Sequence, residues 1–116
     1  MSGKRFVGRA SALLVAAGMA AMAIPAVAQA DPDTDFANQL HTYGIYGAKD
    51  YNAWIGKLTC RRIGNLDPDA YASAKFVSMQ LPKGSTTEQA WQFLGGAINT
   101  YCPEHLPILQ AAAKPA

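Results

Sequence analysis

Residues 60–102 read CRRIGNLDPDAYASAKFVSMQLPKGSTTEQAWQFLGGAINTYC, with the two cysteines of the chain at their ends. The Asp67-Pro68-Asp69 segment is typical of a helix start, because Asp67 can cap free backbone N–H groups and proline fits the first turn. Small and apolar residues then recur at the spacing of one helix face: Ala70, Ala74, Val77 and Leu81. A helix ending near Pro82 is therefore predicted.

A second helix of this stretch is predicted to begin at the capping box Ser85-Thr86-Thr87-Glu88, in which the serine bonds forward and the glutamate bonds back. The Gly95-Gly96 pair is costly inside a helix, at roughly 1 kcal/mol per glycine relative to alanine. It therefore indicates a bend or the close approach of another helix. The predicted apolar face comprises Ala90, Leu94, Ala97, Ile98 and Tyr101.

Two more helices are predicted before Cys60. The first follows the acidic start Asp33-Thr34-Asp35 and carries Phe36, Leu40 and Tyr43 on one face. The second covers about residues 48–63, and its predicted apolar stripe is Tyr51, Trp54, Ile55 and Leu58. No segment alternates convincingly with period two, so the predicted class is all-α: a small bundle of about four short helices. After Pro103 we expect only a short turn at 104–110 and a frayed tail at 111–116.

The first thirty residues have the three parts of a secretory signal peptide. Lys4, Arg5 and Arg9 give a basic start, an uncharged apolar run follows to Ala28, and small residues end the segment. Cleavage is predicted after Ala30, with Ala28 as the other candidate, which leaves one helical domain over residues 31–116. The competing interpretation is an uncleaved membrane anchor, but an Ala- and Gly-rich run followed by a cleavage site favours a secreted protein without a membrane span.

Removing the predicted leader changes the charge of the chain. Three of its ten basic residues lie in the leader, so seven basic residues face eight acidic ones in the remainder. A domain so close to neutral has no electrostatic signature of nucleic-acid binding. An exported chain meets an oxidising compartment, where a pair of cysteines usually forms a disulfide, so we predict a Cys60–Cys102 bond.

The ordered set of short motifs resembles a known family. It comprises Asp33 or Asp35, Phe36, Leu40, Gly44-Ile45, Cys60 with Ile63-Gly64, and an aromatic- and Ala-containing helix that ends in Tyr101-Cys102-Pro103. This order resembles the domain of unknown function 732, a family of small exported proteins typical of mycobacteria and their relatives, over about residues 33–103. The resemblance implies export to the cell envelope or medium and a disulfide. It implies no activity and transfers no functional residue.

Titratable residues give little indication of chemistry. A metal site needs three or four convergent ligands, whereas only His41, His105 and scattered acids remain once the cysteines are paired. His41 or the nearby Tyr43 could in principle bind a haem, but a surface histidine is the simpler interpretation. The carboxylate pair Asp67 and Asp69, like the cluster at residues 31–35, is explained by helix capping. We therefore expect no cofactor, no metal and no enzyme activity.

The aromatic residues are the most informative candidates for binding. Most of the ten in residues 31–116 fall on predicted helix faces, where core packing is the default. A small domain nevertheless has limited room for large side chains. We predict a groove for a partner or lipid lined by Tyr46, Trp54 and Trp91, with Gly95 and Gly96 as one wall.

Two functional hypotheses from different classes follow. The first is a non-catalytic interaction module of the cell envelope or medium, which binds an unknown protein or envelope component through exposed aromatics. The second is a carrier of a small apolar ligand, such as a lipid, held between helices. A bound apolar molecule would favour the carrier, and a dry apolar patch without a cavity would favour the interaction module.

Overall fold

The computed structural model describes residues 31–113, and within them the chain forms five α-helices. The predicted leader lies outside the described residues, as do the last three residues of the chain. The helices are α1 Pro32–Thr42, α2 Lys49–Arg62, α3 Ala70–Gln80, α4 Thr87–Tyr101 and α5 Leu106–Ala113, with a short 3-10 helix, Pro103–His105, before α5. The predicted all-α class is confirmed, with one helix more than expected in this part of the chain.

Helix α4 lies at the centre and contacts all four other helices. The faces predicted for α3 and α4 are buried from Ala70 to Leu81 and from Ala90 to Ile98. Phe36 of α1 packs edge-on against Phe93 and Tyr101 of α4, with ring centroids 5.1 and 5.4 Å apart. These aromatic contacts fill the middle of the bundle.

The apolar stripe predicted for α2 is wrong at two of its four positions. Tyr51 and Trp54 are exposed, while α2 buries small residues such as Gly56 instead. A Cβ atom at Gly56 would lie 3.0 Å from ring carbons of both Phe36 and Tyr101. The large rings come from α1 and α4, so α2 packs against them with a glycine, which leaves room for the rings.

Two predicted helix starts are corrected by the hydrogen bonds. Asp69, not Asp67, caps α3, because its Oδ1 accepts the backbone N–H of Ala72 at 2.9 Å. The capping box of α4 consists of Thr86 and Gln89, each of which bonds to the other's backbone N–H. The pattern Ser85 to Glu88 placed this box one residue too early.

The predicted Cys60–Cys102 disulfide is present. Cys60 lies in the last turn of α2 and Cys102 directly follows α4, and their Cα atoms are 5.9 Å apart. The bond therefore joins the ends of two neighbouring helices, and α3 lies within the loop that it closes.

Helix α5 replaces the short turn and part of the frayed tail expected after Pro103. Ile108 and Leu109 of α5 pack against the cluster of buried residues around Leu94 and Cys102. The Tyr71 hydroxyl of α3 also donates a hydrogen bond to the carbonyl oxygen of Ala112 at 3.1 Å. These contacts hold α5 against the bundle as far as Ala113.

Candidate functional site

An apolar surface groove runs beside α3, between α4 and α5, and we call it the Tyr71 groove. It consists of three neighbouring openings that all share Tyr71. The largest, about 400 Å³, lies between α3 and α5 and is lined by Pro68, Asp69, Ala70, Tyr71, Pro107, Ile108, Ala111 and Ala112. Its walls are mostly apolar and it opens to solvent.

An aromatic pair forms the middle of the groove. The rings of Tyr71 and Trp91 meet edge to face, with centroids 5.3 Å apart and planes at 82°. Trp91 is half-buried, whereas Tyr71 keeps 60 % of its surface exposed even though its hydroxyl bonds to Ala112. A second opening, about 210 Å³, lies over this pair against Leu109 and the end of α5. The pair thus presents aromatic edges and faces to solvent.

The third opening, about 260 Å³, has a different character. Besides the aromatic pair it is lined by Lys75, Ser78 and Thr87. The Ser78 hydroxyl already donates to the Lys75 carbonyl oxygen at 2.7 Å. The polar side chains of the groove are therefore concentrated at this end, apart from Asp69 at the opposite end.

The local sequence explains why α3 can form this wall. Ala70, Ala74 and Val77 face the core, and Tyr71, Lys75 and Ser78 recur at i, i+4 and i+7 on the solvent side of the same helix. On the opposite side, alanines 111 and 112 of α5 line the groove with small side chains that do not fill it. Small residues on one wall and an aromatic residue on the other leave the groove open.

The structure separates the five residues predicted to form one groove. Only Trp91 lines the Tyr71 groove. Gly95 lies beneath α5, where an added Cβ would make an ordinary 3.7 Å contact with Leu109. Gly96 faces α1 instead, and a Cβ there would lie 3.1 Å from the Gln39 side chain. The close helix approach predicted at the glycine pair is thus found at Gly96, inside the bundle.

The other two predicted residues, Tyr46 and Trp54, lie elsewhere on the surface. Tyr46 contacts His41, with ring centroids 5.1 Å apart and planes tilted by 39°. It lies beside a separate cleft of about 450 Å³ formed by the loops at residues 44–47 and 82–85. Trp54 is 55 % exposed and packs edge-on against Tyr51 on the outer face of α2. Sequence reasoning missed Tyr71, although its position beside the alanine stripe of α3 is the signal that could have indicated a solvent-facing aromatic.

The acidic residues considered for catalysis have structural partners. Asp67 is buried and accepts hydrogen bonds from Arg62 Nη2 and Ser73 Oγ, both at 3.0 Å. Asp33 accepts the Tyr101 hydroxyl at 2.7 Å. Burial and this hydrogen bond raise the pKa of Tyr101 far above its ordinary value. The Asp67 contacts join the end of α2 and the first turn of α3 to the loop between them, and the Asp33–Tyr101 bond joins α1 to α4.

Among residues 31–113, no three histidine, cysteine, aspartate or glutamate side chains come together as ligands for a metal ion. In that part of the chain, no helix combines the length and apolar character required to cross a membrane.

Comparison with known proteins adds a family and two relatives. Residues 32–104 match the family described as protein of unknown function DUF732. The uncharacterized proteins MT0585 and Rv0559c of Mycobacterium tuberculosis, from strains CDC 1551 and H37Rv, are each 50% identical over 107 residues. Each alignment covers 90% of this chain and 96% of the relative. No solved structure matches the chain.

Proposed function

The chain belongs to the DUF732 family of proteins of unknown function. For this member we propose an exported, non-catalytic protein that binds an apolar molecule in the Tyr71 groove. The observation that carries the proposal is the Tyr71–Trp91 pair, with Tyr71 exposed and Trp91 half-buried, in an apolar groove. Clefts lined by apolar and aromatic side chains with a few polar groups are characteristic of small-molecule sites.

The size of the groove is that of a small-molecule site. Its largest opening, about 400 Å³, falls within the usual range for small-molecule sites, roughly 300–1,000 Å³. The proposal is therefore closer to the carrier hypothesis, with the ligand in a surface groove and not enclosed between helices.

Support for export comes from the leader pattern at residues 1–30 and from the cysteine pair. Disulfides persist in oxidising compartments and are rare in the cytosol. We place the protein in the cell envelope or the medium. The non-catalytic part of the proposal rests on the carboxylates, because Asp67 binds Arg62 and Asp69 caps α3.

A titration with Nile red, a neutral apolar dye, tests the binding proposal. Tyr71→Ala removes one aromatic wall and is expected to weaken dye binding about tenfold. Tyr46→Ala is the matched control, because Tyr46 is 63 % exposed and Tyr71 60 %, yet Tyr46 lies at the separate cleft. Equal affinities for the two variants, or no dye binding by the wild-type protein, would overturn the proposal.

The interaction module remains a second candidate because of α2. Tyr51 and Trp54 form an exposed aromatic pair there, outside the Tyr71 groove. The two tryptophans allow the two sites to be distinguished by NMR. Dye binding in the Tyr71 groove is expected to shift the indole N–H resonance of Trp91, whereas binding on α2 would shift that of Trp54.

A further inference from the structure

We propose that the ligand of the Tyr71 groove is a single-chain amphiphile with an anionic head group, whose head lies at Lys75 and whose tail extends towards α5. This inference rests on the proposed function and specifies its ligand class. It follows from how polar and apolar side chains are distributed along the groove.

The polar end of the groove carries a positive charge. Lys75 lies there, one helical turn after Tyr71, and takes part in none of the ion pairs formed within residues 31–113. Lys49 and Lys57, by contrast, pair with Asp31 and Asp33. An unpaired ammonium group beside an apolar surface favours a ligand that joins a negative charge to an apolar body.

The hydroxyl groups at this end define the donors for such a head group. The Ser78 hydroxyl is already engaged with the Lys75 carbonyl oxygen at 2.7 Å. The Lys75 ammonium and the Thr87 hydroxyl therefore remain as the donors that can face an anion. Thr87 is also the first residue of α4, where the helix dipole is positive.

The rest of the groove suits an alkyl tail. From Ala70 to Ser78 it follows nine residues of α3, which correspond to about 12 Å at helical rise, and Pro68 and Asp69 extend it beyond the start of the helix. Trp91, Leu109 and Ile108 provide apolar contacts along this path. At the far end Asp69 would repel an anionic head, so the charges at the two ends favour one orientation of the ligand.

The narrow openings favour a single chain. Their volumes are about 400, 260 and 210 Å³, and Tyr71 lines all three, so they are separate openings around one ring and not one wide chamber. Because the Tyr71 hydroxyl bonds to Ala112, the ring spans the groove from α3 to α5, and a single tail can pass from one opening to the next over the exposed face of the ring. On the α5 side, Ala111 lines the largest opening with only a methyl group and is exposed to solvent.

Two amphiphiles with the same tail and opposite head charge test the inference. Dodecanoate and dodecyltrimethylammonium would be titrated below their micelle concentrations into the purified protein with its disulfide intact. The Trp91 indole resonance would report binding. We expect dodecanoate to bind about fivefold more tightly than the cation, the size expected of one exposed charge pair, and the preference to decrease with added salt.

Variants of two exposed lysines assign the preference to one residue. Lys75→Gln is expected to abolish the preference for dodecanoate, and Lys83→Gln, at the separate cleft, to retain it. Ala111→Gln places a polar amide in the tail wall and is expected to weaken both amphiphiles to a similar extent. Because both Lys75 and Ala111 are exposed, these changes leave the core intact.

The other outcomes show which proposal fails, the binding function of the groove or the anionic head group of its ligand. Equal binding of both amphiphiles at Trp91, or an unchanged preference in Lys75→Gln, would overturn the anionic head group while leaving the binding function in place. Failure of both amphiphiles and of Nile red to bind would overturn both proposals. A Trp91 resonance that moves with protein concentration alone would assign the groove to a second copy of the chain and contradict the inference.

Discussion

Asp67 and Asp69 lie two residues apart and have different partners. Asp67 is buried, with its carboxylate bonded to Arg62 and Ser73, whereas the exposed Asp69 caps α3. Either aspartate before a helix can be read as the cap from sequence. The choice depends on Arg62, whose guanidinium reaches back over Phe76 at 4.1 Å from the ring centroid and holds Asp67 beneath the loop.

Alanine substitutions distinguish these two roles. Asp67→Ala leaves Arg62 without its carboxylate and Ser73 without its acceptor, so we expect a loss of about 3 kcal/mol in unfolding free energy. Asp69→Ala removes one cap and is expected to cost about 1 kcal/mol. Urea unfolding at neutral pH measures both. A larger loss for Asp69→Ala would contradict the assignment of Asp67 as the internal partner.

Tyr101 gives the protein a dependence on alkaline pH. Burial and the hydrogen bond to Asp33 raise the pKa of Tyr101 in the folded protein, while in the unfolded chain the phenol ionises near its ordinary pKa of about 10. The unfolded chain therefore loses this proton first. The stabilisation is fully present below about pH 10 and is lost as the pH rises above it.

Tyr101→Phe tests this dependence. The variant lacks the titrating hydroxyl, so its unfolding free energy is expected to fall less steeply than that of the wild-type protein above about pH 10. At neutral pH it is expected to be less stable by about 1 kcal/mol, because Asp33 loses a donor. The measurement is urea unfolding between pH 8 and the alkaline limit of reversibility. Parallel curves for the two proteins would refute the role of Tyr101.

At the scale of elements, the rule that apolar residues at a helical period form the buried face applies on α1 and α3. Phe36 and Leu40 of α1 and the stripe of α3 follow this rule and are buried. On α2 the rule fails, because the partner rings of Phe36 and Tyr101 occupy the space and only Gly56 allows the close approach. The face of a helix that must carry small side chains is set by the side chains of other helices. The sequence of the helix itself does not contain this information.

The glycines of α2 and α4 differ in what surrounds them, which leads to opposite expectations. Gly56→Ala would place a Cβ 3.0 Å from two buried rings, and we expect a net destabilisation of about 1 kcal/mol despite the better helix propensity. Gly95→Ala meets only Leu109 at 3.7 Å and is expected to stabilise by up to about 1 kcal/mol. Thermal unfolding of both variants measures the difference. Stabilisation by Gly56→Ala would show that the helices do not pack as closely as described.

The candidate site was predictable only in part for a related reason. Trp91 was identified because a small domain has limited room for large side chains in its core. Tyr71 was missed because the groove depends on α5, and the residues after Pro103 carry no capping signal that predicts a helix. A site formed where three helices meet depends on the position of every wall, and one of these walls was not expected to exist.

At the scale of the whole molecule, the disulfide limits how far the unfolded chain can expand. The bond closes a loop between cysteines 42 residues apart. In the chain-entropy model a loop of this length contributes about 4 kcal/mol, which is comparable to the net stability of a small domain. The cysteines also join the two helices that flank α3, so the bond fixes the part of the bundle that carries Tyr71.

Removing the disulfide is expected to destabilise the whole domain. The double variant Cys60→Ala and Cys102→Ala should lower the unfolding free energy by about 4 kcal/mol in urea, with a cooperative transition at a lower midpoint. Reduction of the wild-type protein provides a second route to the same state. A loss of less than about 1 kcal/mol by both routes would contradict the structural importance of the bond.

The central claim is that the chain is exported and binds an apolar molecule, and native mass spectrometry of the protein recovered from the culture medium tests it most directly. We predict the mass of residues 31–116 less two hydrogens, together with an added mass that is retained under native conditions and lost on denaturation. The full-length mass would contradict export. A bare polypeptide, both as recovered and after exposure to dodecanoate and Nile red, would contradict the binding function.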